Sequence, residues 1–223
     1  MLFRSVEINA LWYNALRFGE KLAVLAGESG DHYGKLASRV FESFNQSFWY
    51  PEGGYLLDVI GPAGVDASFR PNQIIAASLP FPVLDKPRSR LVVEKAWQRL
   101  WTGHGLRSLA PDDAHYIGHY GGDTASRDGA YHRGTAWGWL AGPYITAFNR
   151  VFQSEPWARE TLAEFFAGFE GHLSEAGVGF VSEIFDGDAP HLSRGCIAQA
   201  WSVAELLRVW SEDYLGNRPD FWA

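Results

Sequence analysis

The chain has 223 residues, 47% of them apolar and 20% charged, so it can bury one sizeable core or two small ones and is not a disordered polymer. A formal charge of −7 argues against an extended phosphate-binding face, so no nucleic-acid partner is expected, and no apolar run is long enough to span a membrane. The single cysteine, Cys196, excludes an internal disulfide framework and a cysteine-based zinc site. It fits a reducing compartment. Glu7 and Asn9 interrupt the first apolar stretch and no small-residue cleavage site follows, so no signal peptide is expected and the cytoplasm is the expected location.

In chain order, the spacing predicts seven helices. Leu11, Ala15, Phe18, Leu22 and Leu25 step by three and four, giving the first an apolar stripe. Asp31 is placed to cap a second, whose stripe is Leu36, Val40 or Phe41, Phe44 and Phe48. A short third runs from Asn72 to Leu79 and stops at Pro80. Asp85 and Pro87 open a fourth with Val93, Trp97 and Leu100 inward. The fifth is expected from Thr135 to Phe152 with a kink at Gly142-Pro143. Leu162, Phe165 or Phe166, Phe169 and Leu173 mark the sixth; Ile197, Trp201, Ala204 and Leu207 mark the seventh. Strand alternation is almost nowhere, so the fold class is all-α.

The connections at 49–70, 102–134 and 177–195 are long, and they hold Trp, Tyr, His, Arg, Asp and Glu between glycines. Long loops inside a compact domain are functional or disordered. Helical hairpins with alternating long and short loops gather the long ones at one end, where a site is expected. Aromatic residues make up 15% of the chain, which fits either a core filled by large rings or a surface where rings stack on a flat ligand such as a sugar face.

No phosphate-binding loop, dinucleotide fingerprint or HExxH motif is present, and no cofactor is expected. His115, His119 and His132 share a loop but lack clustered carboxylates at ligand spacing, so no metal is expected. Cys196 has no base beside it and reads as packed or inert. Glu183 stands between Val181-Ser182 and Ile184-Phe185, either as a cap or ion-pair partner or as a general base aimed into a pocket. Asp186 and Asp188 flank Gly187 as in a tight turn. Arg127 and Asp128 either pair with each other or hydrogen-bond sugar hydroxyls. Trp137 and Trp139, two apart, divide between core and site. Asp58, Arg70 and Asn72 form a third group, with Asn72 a candidate helix cap.

Six segments in order, VEINALWYNAL (6–16), SFRPNQIIAASLPF (68–81), GLRSLAPDDAHYIGHYGG (105–122), RDGAYHRGTAWGWLAGPYI (127–145), GFVSEIFDGDAPHLSRGC (179–196) and AQAWSVAELLR (198–208), resemble the C-terminal amylo-α-1,6-glucosidase domain of glycogen debranching enzymes. The resemblance implies an (α/α)6 toroid of glucoamylase type with its site at the long-loop end, and hydrolysis, with inversion, of the α-1,6-linked glucose at a branch point of glycogen or another branched α-glucan. Inversion uses two carboxyls about 6.5–9.5 Å apart. Matched by motif, Glu183 falls on the family's general base, and Arg127, Asp128, Tyr131, His132, Trp137, Trp139, Asp58 and Arg70 are the candidate substrate-binding residues. The family's general acid is an Asp in a TWMD-like motif upstream of the first segment, and this chain contains no such motif. The expectation is therefore an incomplete ring of about seven helices, with the acid outside the chain and with self-association or docking to the missing N-terminal region. The alternative is a glucan-binding remnant or split subunit without catalysis of its own. Asp58 and Asp128 are the local substitutes for the acid.

Overall fold

A computed structural model describes residues 4–219. The chain divides into two compact units, one running to Ser68 and including Asn72–Val92, the other comprising Phe69–Pro71 and everything from Val93 onward.

In the first unit a short strand, β1 (Arg4–Ser5), leads into α1 (Val6–Leu25), which packs against α2 (Asp31–Phe48) and α3 (Gln73–Ser78). Two hairpins follow α2: β2 (Trp49–Tyr50) pairs with β3 (Tyr55–Leu56), and β4 (Val59–Gly61) pairs with both β1 and β5 (Gly64–Asp66), all antiparallel. Of the stripe expected on α1, Phe18 alone turns inward, packing edge-on against Phe81 at 5.3 Å. Leu11, Ala15, Leu22 and Leu25 are exposed, while Val6, Ala10, Asn14 and Leu16 are buried. The helix carries two apolar faces, and the polar Asn14 lies on the buried one. Its amide is satisfied by both backbone groups of Phe81, donating to the carbonyl at 2.8 Å and accepting the N–H at 2.9 Å. On α2, Phe44 and Phe48 are buried as expected, and Val40 rather than Phe41 turns toward the core. Asp31 does not cap: Gly30 occupies the cap position, and Ser29 Oγ accepts the Asp31 N–H. Asn72 does not cap with its side chain either; its Nδ2 donates to Asp58 Oδ1.

The helix α4 (Lys86–Leu100) begins as the sequence predicts, with Asp85 Oδ1 accepting the Arg88 N–H at 2.8 Å. In the second unit follow β6 (Leu106–Arg107), α5 (Thr124–Ala130), β7 (Ala136–Trp137), a 3-10 turn (Gly138–Leu140), α6 (Ala141–Phe152), α7 (Ala158–His172), β8 (Ile184–Phe185), β9 (Ser193–Arg194) and α8 (Ala200–Val209), which ends in a π turn at Trp210–Tyr214. Among the described residues there are eight α-helices. The one beyond the expected seven is α5, hidden in a polar loop and capped by Asp123, whose Oδ1 accepts the Ser126 N–H. The expected kink at Gly142-Pro143 is absent because α6 starts at Ala141. Pro143 thus sits in the first turn, where its missing N–H costs no helical bond. Gly142 has a packing role as well, since a Cβ there would run into the Glu205 side chain of α8.

The stripe expected on α8 is also displaced. Trp201, Ala204 and Leu207 are exposed and Ile197 precedes the helix, while Ser202 and Val209 are buried. Arg208 binds Glu205, Glu212 and Thr146, so polar groups secure the inward side of this helix. The core of the unit is a cluster of rings: Trp101 stacks on Tyr144 at 5.3 Å, and Phe165 meets Trp101 at 4.9 Å and Phe148 at 5.0 Å, while Trp97, expected inward, touches Phe165 at 5.0 Å but keeps 38% of its surface exposed. Much of the aromatic content is therefore core. A second set, Tyr120, Tyr131, Trp137, Trp139 and Trp201, lies on the Glu183 side.

Candidate active site

Four strands of two residues each carry the site. In the order β6-β7-β8-β9 they pair antiparallel, Leu106 opposite Trp137, Trp137 opposite Ile184 and Ile184 opposite Arg194. Two-residue strands leave no readable alternation, which is why the sequence shows helices and loops here. Glu183 comes immediately before β8. The ladder continues past it on both sides: the Glu183 carbonyl accepts the Gly138 N–H at 3.1 Å, and the Glu183 N–H donates to the Cys196 carbonyl at 2.9 Å. The backbone of Glu183 is thus fixed between the strand holding Trp137 and the turn holding Cys196.

The side chain is fixed as well. Tyr131 OH donates to Oε1 at 2.5 Å and the Cys196 N–H donates to Oε2 at 3.0 Å. Burial, and then the carboxylate beside it, raise the Tyr131 pKa, so the phenol remains a donor. Gly195 is at φ +65°, and a Cβ on it would come within 2.5 Å of Glu183 Oε2. An ionised carboxylate offers about four lone-pair sites, so two remain for a water or a sugar hydroxyl.

Aromatic rings spread from this carboxylate. Tyr131 packs on Trp137 at 4.7 Å and near Tyr120 at 5.7 Å, and the Trp137 indole N–H donates to the Tyr131 carbonyl at 3.2 Å. His132 lies flat on Trp137 at 5.4 Å and 3°. Desolvation, followed by the charge of Arg70, lowers the His132 pKa. Trp201 closes the set, edge-on to Trp137 at 6.1 Å and stacked on Trp139 at 5.7 Å. Trp137 is 7% exposed, whereas Trp201 is 47% exposed and His132 is exposed as well, so these two rings present free surface beside the buried Trp137.

The remaining candidates take different places. Arg70 straps the loop, its Nη1 donating to the carbonyls of Ser108 at 3.0 Å and His132 at 2.8 Å. Arg127 and Asp128 are adjacent, exposed positions of α5 and form no ion pair with each other; that helix delivers Tyr131, whose N–H caps the Arg127 carbonyl. Asp58 belongs to the first unit, where it is buried against Asn72.

Asp186, which the sequence assigns to a turn, is an anchor. Its carboxylate accepts from Arg194 at 2.9 Å and from the Tyr120 N–H at 2.8 Å, and lies 3.2 Å from His119. Burial pushes its pKa up, but the Arg194 and Tyr120 hydrogen bonds and the nearby positive charge outweigh it, so the carboxyl lies below its ordinary value. Asp188 accepts from Tyr116 OH at 2.9 Å. Sequence reasoning missed Trp201, Tyr120 and the backbone of Cys196. The thiol of Cys196 is exposed, and its N–H is what touches Glu183. Among the described residues no group of three His, Cys, Asp or Glu side chains is placed to hold a metal ion, and no helix is long and apolar enough to cross a membrane.

The fold is that of (α/α)6 glycosidases. It is similar to the GH63 mannosylglycerate hydrolase of Thermus thermophilus (TM-score 0.66, 19% identity, 94% of this chain and 45% of that one). Neutral trehalase Nth1 of Saccharomyces cerevisiae matches with a TM-score of 0.62 at 14% identity, over 99% of this chain and 39% of that one. The family 15 glucoamylase of Hypocrea jecorina matches with a TM-score of 0.53 at 17% identity, over 98% and 43%. The chain spans less than half the length of each of these three structures. The motifs that surround Glu183 fall inside the match of residues 4–208 to a single family, and by that match the chain belongs to the amylo-alpha-1,6-glucosidase family.

Proposed function

We propose that the chain is the base-bearing part of an inverting glycoside hydrolase that removes α-1,6-linked glucose from branch points of glycogen or a related α-glucan. The observation that carries the reading is the Glu183 carboxylate, held by Tyr131 OH and Cys196 N–H and bordered by Tyr131, Trp137 and Trp201, in a chain of this family. Glu183 takes a proton from a water that attacks the anomeric carbon, while a second carboxyl, protonated, gives its proton to the departing glycosidic oxygen. The rings around Trp137 take the apolar face of the glucose, and Arg127, Asp128 and His132 at the rim meet its hydroxyls.

The acid is supplied from outside these 223 residues. Asp186 does not suit the role, because a carboxyl held ionised by Arg194 is a poor proton donor. The exposed free thiol of Cys196 agrees with work in the cytoplasm. The exposed apolar residues Ile8, Leu11, Trp12 and Leu22 of α1 favour coverage by a second copy or by further polypeptide.

The test is incubation of the chain with an α-1,6-branched limit dextrin, following both binding and glucose release beside a Glu183→Gln control. Binding with negligible release, restored when the acid-bearing polypeptide is added and lost again in the control, is the expected result. Failure to bind limit dextrin overturns the reading. Binding that never leads to Glu183-dependent release identifies a non-catalytic glucan-binding chain.

A further inference from the structure

Behind Glu183 the second unit holds two imidazoles, one buried and one half-buried, that the reaction described above does not use. His172 is the last residue of α7 and is 1% exposed; His104 lies in the turn between α4 and β6. The ring of His104 lies over Phe185 at 4.7 Å and 18°, and His172 meets the same ring edge-on at 4.9 Å and 72°. Phe185 is the second residue of β8, two positions after Glu183.

His172 also reaches the backbone, its Nε2 accepting the N–H of Ser182 at 3.1 Å. The neighbouring amides go to carbonyls instead, Glu183 to Cys196 and Asp186 to Leu192. The amide immediately before Glu183 is therefore held by a side chain. Three buried polar atoms without a hydrogen-bond partner gather at this point: Nδ1 of His104, Nδ1 of His172 and Ser182 Oγ. Burying unpaired polar atoms is costly, and apolar side chains of similar shape would fill the same space without that cost. What His172 gains in return is its bond to the Ser182 N–H.

An imidazole accepts at Nε2 only when it is neutral with its proton on Nδ1. Glu175 Oε2 lies 3.5 Å from that Nδ1, out of hydrogen-bond alignment but close enough for its charge to favour this tautomer. The titratable groups facing His172 are Glu175 and His104, the latter with its ring centre 5.9 Å away. Burial, and then the proximity of His172, hold the His104 pKa below its ordinary value, with His191 adding to the effect, so the neighbouring ring brings no charge at neutral pH.

We propose that His172 is a positioning residue: by accepting the Ser182 N–H it fixes the backbone from which Glu183 reaches Tyr131 OH and the Cys196 N–H. The inference deepens the reading of Glu183 as the base and rests on it for its catalytic meaning.

Two substitutions separate the acceptor from the ring. His172→Phe keeps an aromatic ring against Phe185 and removes the acceptor. His172→Gln removes the ring and keeps an amide oxygen within reach of the Ser182 N–H. The readout, in the whole chain, is hydrogen exchange at the Cys196 amide, whose bond to Glu183 Oε2 does not involve His172. Exchange rises about tenfold in His172→Phe, roughly the worth of one charge-assisted hydrogen bond, and stays within about twofold of the parent in His172→Gln. His172→Leu serves as a second acceptor-free variant if the Phe variant does not fold. Acceleration in His172→Gln with none in the acceptor-free variant, equal acceleration in both, or none in either overturns the proposal, because a packing role alone follows the ring. The measurement needs no turnover. The expected exchange pattern in a chain whose Glu183 proves inert would overturn the catalytic reading and leave the positioning intact.

Discussion

Tyr131 and Glu183, 52 residues apart in sequence, meet through a single hydrogen bond of 2.5 Å, phenol to carboxylate. The bond joins the residue that follows α5 to the residue that precedes β8, so it ties an aromatic wall to a candidate base. Removing the hydroxyl in Tyr131→Phe leaves the ring contacts with Trp137 and takes one donor from the carboxylate. A charge-assisted hydrogen bond is worth about 1.5–3 kcal/mol, so turnover should fall roughly tenfold to a hundredfold. Steady-state kinetics of the complete enzyme check this, with KM little changed because the ring remains.

The anchor at Asp186 predicts a defined acid limit. Its folded pKa is depressed below the ordinary value of 3.8, so its stabilising contribution is fully present above that value and is lost as pH falls through the lower, folded value. Melting temperature followed from pH 5 downward should drop below about pH 4 in the parent chain and lose that part of its slope in Asp186→Asn. The same substitution at neutral pH leaves Arg194 and the Tyr120 N–H with a weaker partner, costing about 1–3 kcal/mol.

Gly195→Ala should damage the site through both backbone and sterics. The position has φ +65°, and the added Cβ would press on Glu183 Oε2 and Ile184 Cγ1. The left-handed backbone alone costs about 1–2 kcal/mol for a residue with a side chain. The expected outcome is a lower melting temperature together with loss of limit-dextrin binding, read by calorimetry; a variant with parental binding would contradict the close approach.

How much of this was legible in the sequence depends on distance along the chain. Glu183, Tyr131 and Trp137 sit inside continuous motifs, and the structure brings these three together. Arg70, a candidate sugar ligand by its motif, also straps the carbonyls of Ser108 and His132, contacts 38 and 62 residues away that no local pattern encodes. Trp201 reads as core because it falls on a helical stripe, yet it stacks on Trp139 with nearly half its surface free. On α1 the apolar periodicity is present on two faces, and only the reciprocal bonds between Asn14 and Phe81 reveal which one is inside. Strands of two residues carry no period, so the sheet that fixes Glu183 is invisible until the chain is folded.

Cys196 provides a chemical reporter of occupancy. Its thiol is exposed while its N–H bonds Glu183, so a sugar held at the carboxylate shields it. Alkylation of this single thiol by iodoacetamide, followed by mass spectrometry, should slow in the presence of limit dextrin. The protection should disappear in Trp137→Ala, which removes the ring that Tyr131 and His132 pack on.

The central claim, that Glu183 is the base, is tested most directly with α-glucosyl fluoride, because fluoride leaves without protonation and the reaction needs no general acid. The chain should release fluoride, and Glu183→Gln should lower the rate by about 10²–10⁴, the usual contribution of a positioned base. Equal release by the two proteins would contradict the account.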